Sequence, residues 1–423
     1  MPDSYINNLE EQLRQDLRLG KARRRKRWLR RLLPLLLLLI LGAGLWFLLR
    51  SPEEEPPAET ETVAPGSAVA TLRFVGDISL DQGALERFRT GESYDFSPLF
   101  RRIIPRLADA DLTVGNLEGN IADSAGAVTD HNYPPELLDA LYAAGFDILQ
   151  TANSYSIQNG ISGLAATKAA IAKAGMDALG TWSSEEDRLE NGVLIRDVNG
   201  IRIAFLAFTK GMNNLRLPSG VDYCVNLLYT DYDTNYSKVA RSSISAAVEE
   251  AKTQNPDLIV ALVHWGSEYD RDVADTQESI AKLLFDSGVN LIVGSHSHYV
   301  GPMKLNSRVI SPFKGSFIAY SLGDFVSMAD VTSARSGCVL SVTILKDGNG
   351  IRITGLEYAP TFSAAPSEGL DITDYEVLDS LSAISFYESG YYDRVSEKLY
   401  DQLVTAVEKM KDQTGLSEYQ ASK

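Results

Sequence analysis

Only four histidines occur in 423 residues, and three of them stand at the ends of apolar runs. His264 follows Leu258–Val263, and His296 and His298 follow Leu291–Val293. Carboxylates hold comparable positions: Asp77 follows Thr71–Val75 and Gly76, Glu118 follows Leu112–Val114 and Gly115-Asn116-Leu117, and Asp324 follows Phe317–Ser321. Asn153, Ser154 and Tyr155 come just after Ile148–Thr151. A lone histidine at such a place is more often structural or incidental than a ligand. Two imidazoles spaced His-x-His after an apolar run argue for ligation, because an irregular turn can aim both into one site. Three imidazoles with two carboxylates form a mixed N/O donor set that suits Zn, Mn or Fe, whereas carboxylates alone suit Mg or Ca. The reading is a divalent metal site with Asp77, Glu118, His264, His296 and His298 as ligands. His131 lies in a loop before Pro134 and is given no role.

The elements that must present these residues alternate. Strands are expected at Thr71–Val75, Leu112–Val114, Ile148–Thr151, Ile201–Phe208, Leu258–Val263, Leu291–Val293, Phe317–Ser321, Val339–Leu345 and Ile351–Tyr358. Helices are expected at Pro134–Ala144, Gly163–Ala174, Lys238–Thr253 and Gln277–Ser287. Strand–helix alternation predicts an α/β domain with buried sheets, and the short turn at Lys346–Gly350 predicts that part of a sheet is antiparallel. In such folds the working residues collect beyond the carboxyl ends of strands, which is where the polar residues stand. Residues 371–411 read as helical and either cap the domain or stand apart.

Charge divides the chain. Residues 1–50 hold eleven Lys and Arg against four Asp and Glu, a net of +7, and the other 373 residues hold 29 against 52, a net of −23. A body this acidic repels phosphate backbones, so nucleic acid is not an expected partner. Leu32–Leu49 is an uncharged apolar run of 18 residues, long enough to span roughly 27 Å. Eight cations lie between Lys21 and Arg31, and none between Arg50 and Arg73, which predicts a cytoplasmic N-terminus and an external main domain. A cleaved signal peptide fits less well, since its apolar region is shorter and a small-residue site follows it closely. Residues 50–70 carry four prolines and five glutamates and read as an extended stalk. Two cysteines, Cys224 and Cys338, exclude a disulfide framework but leave a single bridge open.

Six stretches in order resemble the bacterial capsule-synthesis family CapA, also called PgsA, a branch of the calcineurin-like metallophosphatase superfamily. They are Phe74-Val75-Gly76-Asp77-Ile78, Gly115-Asn116-Leu117-Glu118-Gly119, Pro134-Pro135-Glu136 leading to Ala144-Gly145-Phe146-Asp147, His264-Trp265-Gly266 with Glu268-Tyr269, His296-x-His298, and Tyr320-Ser321-Leu322-Gly323-Asp324-Phe325. The resemblance implies a four-layer α/β/β/α sandwich at residues 71–365, after a basic segment 1–31, an anchor 32–49 and a linker 50–70, and before a helical extension 366–423. It also implies the same five metal ligands, a phosphoesterase-like reaction, and a role in capsule, poly-γ-glutamate or cell-envelope polymer synthesis beside a membrane polymer-synthase complex. The substrate expected is a phosphoester or an anionic polymer.

The resemblance lapses at one loop. Where the family has Ala-Asn-Asn-His followed by Asp-x-Gly, this chain has Ala152-Asn153-Ser154-Tyr155-Ser156-Ile157-Gln158-Asn159-Gly160. Asn153 is kept, and Tyr155 falls at the position of the catalytic histidine. A phenol with a pKa near 10 is a poorer acid at neutral pH than an imidazole near 6.5. Ser297 and Asp324 stand where the family favours Pro and Asn. The alternative is therefore a non-catalytic scaffold or polymer-handling subunit whose site is degenerate at Ser154, Tyr155 and Gln158. Lys210, Arg216 and Lys314 are basic residues in loops after or between strands, and either stand near the rim or are solvated surface charge.

Overall fold

A computed structural model of the chain describes residues 66–122, 128–306, 316–329, 332–366, 368–369 and 372–415. The basic segment, the apolar run 32–49, most of the linker and Lys314 lie outside these residues. Among the described residues no helix is long and apolar enough to cross a membrane.

Strands β1 (Ala68–Ile78), β2 (Leu112–Leu117), β3 (Ile148–Gln150) and β4 (Asp177–Leu179) run parallel as neighbours. The chain then builds a second sheet from β5 (Leu194–Val198), β6 (Ile201–Thr209), β7 (Leu258–His264), β8 (Leu291–Ser295), β9 (Met303–Asn306) and β10 (Ser316–Ala319). Its order is β9-β10-β8-β7-β6-β5, parallel within and antiparallel at both edges. The last strands, β11 (Asp324–Val326), β12 (Ser336–Asp347), β13 (Gly350–Ala364) and β14 (Glu376–Asp379), return to the first sheet. That sheet reads β14-β13-β12-β1-β2-β3-β4, with β11 paired to β1 off the main path.

Alternation along the strands sends side chains to two separate cores. Ile203 and Phe205 of β6 and Val260 and Leu262 of β7 meet Leu72, Phe74, Val114 and Ile148 between the sheets. Their neighbours Leu206, Phe208, Ile259 and Val263 face the opposite way, onto α3 (Arg241–Thr253) and α4 (Asp275–Ser287). On the first sheet, Val75 and Leu149 pack against Leu138 and Leu141 of α1 (Glu136–Ala143) and Ile171 of α2 (Gly160–Lys173). The result is helix, sheet, sheet, helix, the four layers expected. Burial on both faces explains why β6 and β7 are continuous apolar runs.

Three expectations change. Ala68 pairs with Lys346, so β1 begins inside the stretch read as linker. The segment expected to be helical from 371 opens with strand β14, and only then gives α5 (Ser380–Glu388) and α6 (Glu397–Thr414). Leu399 and Leu403 of α6 pack on Phe362 and Ala364 of β13, so these helices cap the sheet. Cys224 and Cys338 are buried free thiols, which closes the question of a bridge.

One close approach sets the working edge. A Cβ on Gly76 would lie 1.8 Å from the carbonyl oxygen of Gly323, whose own φ is +67°. Only glycine permits β1 and β11 to meet there. The contact puts Asp77 level with Asp324, and a register shift against β2 between Phe74 and Asp77 re-aims the strand end.

Candidate metal centre

Six side chains able to ligate a metal converge at this edge in two buried triplets. Glu118, His264 and His296 form one, and Asp77, His298 and Asp324 the other; within each triplet the ligating atoms lie within 4.8 Å of one another. All five residues picked out as ligands are thus brought together, and Asp324 joins them.

Each side chain is held by backbone geometry. His264 ends β7, and its Nδ1 lies 2.9 Å from Ser295 Oγ at the end of β8. The following turn answers the spacing problem of His-x-His: His296 and His298 take φ values of +92° and +59°, which swings both imidazoles inward. Left-handed backbone at non-glycine residues is costly and clusters at functional sites. The His296 amide donates to Asp77 Oδ2 at 2.9 Å, and Asn116 Nδ2 donates to Asp77 Oδ1 at 2.6 Å. His298 Nδ1 lies 2.8 Å from Asp324 Oδ1, and Tyr269 stacks on the His298 ring at 5.0 Å.

Burial dominates the proton affinities. It pushes Glu118 well above the usual carboxylate range, helped by the charge of Asp77. It raises Asp77 to about 6, helped by Asp324. Burial also holds His264 and His296 well below the usual imidazole range, with the neighbouring imidazoles and Lys210 adding to the effect. Their lone pairs are therefore available at neutral pH. At His298 burial works in the same sense but is outweighed by Asp324, which lifts it to about 11. Three buried carboxyls thus face one imidazolium. Among the described residues Glu118 Oε2 is buried without a hydrogen-bond partner, although Oε1 lies 3.5 Å from His264 Nε2. Buried polar atoms are nearly always paired, and an orphan carboxylate oxygen among imidazoles is what a cation would satisfy. The residues fit a divalent metal.

The divergent loop is arranged differently from what its positions suggest. Ser154 Oγ sits 3.0 Å from His264 Nε2 and 3.5 Å from His296 Nδ1, inside the first triplet. Asn153 Nδ2 donates to Asn116 Oδ1 at 3.0 Å and to Leu117 O at 2.7 Å, so it braces Asn116 beneath Asp77. The Tyr155 ring lies flat on His131, centroids 3.7 Å apart. Burial and the charge of Glu118 push its phenol up to about 12, so it holds its proton near neutrality. Gln158 is exposed.

His131, in a loop before Pro134, carries no sequence signal for a role. Its φ of +56° and the 3.0 Å contact of Nδ1 with the Glu118 carbonyl place it against the rim. Among the basic residues, Lys210 is near: its amide donates to His264 O at 2.8 Å and its ammonium to Gly266 O at 2.5 Å. Arg216 is exposed and paired with Asp233 at 2.6 Å. Asn116 and Ser295 were missed as positioning residues, though Asn116 lies within the Gly-Asn-Leu-Glu stretch.

Fold and rim define an α/β sandwich protein with a buried carboxylate–imidazole centre at its strand ends. Residues 71–329 match the family described as bacterial capsule synthesis protein PGA_cap, and the chain belongs to that family. It is 27% identical over 304 residues to the capsule biosynthesis protein CapA of Bacillus anthracis, covering 69% of each chain. It is 28% identical over 303 residues to the PGA biosynthesis protein CapA of Bacillus subtilis (strain 168), covering 69% of this chain and 73% of that one. Among solved structures, the calcineurin-like phosphoesterase YfkN from Bacillus subtilis is similar at 11% identity and a TM-score of 0.39, covering 82% of this chain and 97% of that one.

Proposed function

We propose that this protein binds divalent metal, Mn, Fe or Zn, at its rim and acts on a phosphoester or an anionic polymer in capsule or poly-γ-glutamate synthesis. In this reading residues 32–49 anchor it in the cell membrane, with the sandwich outside and a membrane polymer-synthase complex beside it. The observation that carries the metal is the buried, unpartnered Glu118 Oε2 facing two imidazoles held neutral. Glu118, His264 and His296 would hold one ion, and Asp77, His298 and Asp324 a second. Bound there, such ions supply Lewis acidity and neutralise charge on an anionic substrate. The chain's own residues do the rest. Asn116 and Asn153 fix Asp77, the Ser154 hydroxyl offers a hydrogen bond between the two imidazoles, and Lys210 adds a cation at the edge.

A second reading, a polymer-handling subunit without turnover, is favoured by one observation: Tyr155 lies stacked on His131 with its phenol pushed up to about 12, which makes it a poor proton donor. The test is metal content of the full chain in neutral nanodiscs, with hydrolysis of a chromogenic phosphodiester under Mn. Two metals per chain and turnover abolished by His264→Ala support the enzyme. Metal retained without turnover at any pH supports the subunit, and less than one metal per chain defeats both forms of the metal reading.

A further inference from the structure

A cavity of about 530 Å³, lined by none of the rim residues, opens between the C-terminal helices and the segment Ser97–Leu107. This is within the range of small-molecule sites, roughly 300–1,000 Å³. Pro105, Ile372, Leu378, Ala383 and Val395 give it apolar walls, with Phe386 beside them. Arg102, Arg106 and Arg394 also line it.

The charge around it runs against the rest of the body. Arg101 and Arg102 both pair with buried Glu376, and Arg106 pairs with buried Asp379. Adding Arg394, four guanidiniums meet two carboxylates, within a chain segment whose net charge is −23. Both carboxylates are engaged, since Asp379 Oδ1 also accepts the Ser382 amide at 2.8 Å and so caps α5. Arg394 has no carboxylate partner among the described residues; its guanidinium lies over the rings of Phe386 and Tyr391, 5.3 and 5.9 Å from their centres. Those rings are themselves 38% and 52% exposed. A planar guanidinium over aromatic faces at the mouth of an apolar cavity recognises a carboxylate or phosphate head and leaves an apolar body to be buried.

We propose that this cavity binds an amphipathic organic anion, with the acidic head at Arg394 and Arg106 and the apolar body between Leu378, Ala383 and Val395. The site uses none of the rim residues and does not depend on metal there.

The test is calorimetry on the full chain in neutral phosphatidylcholine nanodiscs, with hexyl phosphate and hexanoate as probes and hexanol and inorganic phosphate as controls. Protein-free nanodiscs give the background. Both amphipathic anions should bind at one site per chain, with hexanol and inorganic phosphate at least about tenfold weaker, one charge-assisted contact or one buried chain apart. Binding of hexyl phosphate alone assigns a phosphate head, and of hexanoate alone a carboxylate; either supports the site. Arg394→Gln, which breaks no ion pair, should weaken the anions about tenfold. Ala383→Leu, which adds bulk to the apolar wall, should weaken binding of both anions with the melting temperature retained. EDTA should change nothing. Equal binding of hexanol, equal binding of inorganic phosphate, indifference to Arg394→Gln, or loss of binding on chelation would each overturn the assignment.

Discussion

Glu118→Gln separates a metal ligand from a structural carboxyl, because the two roles predict opposite changes. Without metal, the wild-type chain buries a carboxyl whose second oxygen is unpartnered beside Asp77. Its folded pKa lies well above that of the unfolded chain, so the folded state holds a proton that the unfolded state releases. Stability is then lost as pH rises from about 4.3 toward the folded value. Gln removes that loss. At pH 7 and in EDTA the variant should be more stable by about 1–3 kcal/mol. Near pH 4.5, where the folded carboxyl is protonated and the unfolded one about half ionised, the difference should shrink to about 0.5 kcal/mol. The described residues number about 330, which at about 2.1 cal/mol/K per residue gives roughly 0.7 kcal/mol per degree, hence a gain of about 1.5–4 °C. With Mn at 100 times the wild-type Kd, linkage stabilises the wild type by about 2.7 kcal/mol, close to 4 °C. A variant whose affinity has fallen about 100-fold gains only about 0.4 kcal/mol, under 1 °C. The assay is thermal melting of the full chain at pH 4.5 and 7, each in EDTA and in Mn. A wild type that melts at the same temperature with and without Mn would refute the reasoning, as would a variant that is less stable than wild type in EDTA.

Tyr155→Phe should leave phosphodiester turnover within about threefold, since a phenol held near 12 contributes little as an acid; a loss of 100-fold or more would restore it to that role. Ser154→Asn with Tyr155→His should raise metal affinity by about tenfold or more, measured as metal per chain after dialysis against a buffered Mn series; unchanged occupancy would mean that the loop does not limit binding. Gly76→Ala should cost at least about 3 kcal/mol in denaturant unfolding, because its Cβ would fall 1.8 Å from Gly323 O, whereas Gly348→Ala, with nothing within 4 Å, should stay within about 0.5 kcal/mol.

What could be read in advance, and what could not, follows from how each residue is held. Asp77, Glu118, His264, His296 and His298 were legible because each ends a run of buried strand, and strand ends must converge once the strands are parallel neighbours. The layers were legible for the same reason: β6 and β7 are apolar on both faces and therefore need cover on both. Pairing at a distance was not legible. Asp324 was legible as a carboxylate at a strand end, but its pairing level with Asp77 was not: it depends on Gly76 and Gly323 letting β11 meet β1, a contact between residues 247 positions apart. His131 carries no periodic signal, yet a left-handed turn lays its ring on Tyr155. That stack also recasts the divergent loop. The Tyr155 ring is held flat on His131, while Ser154 Oγ lies within reach of both His264 and His296. The candidate ligands and the candidate proton donor are thus separable in this chain, and the six carboxyl and imidazole groups can persist whether or not turnover does.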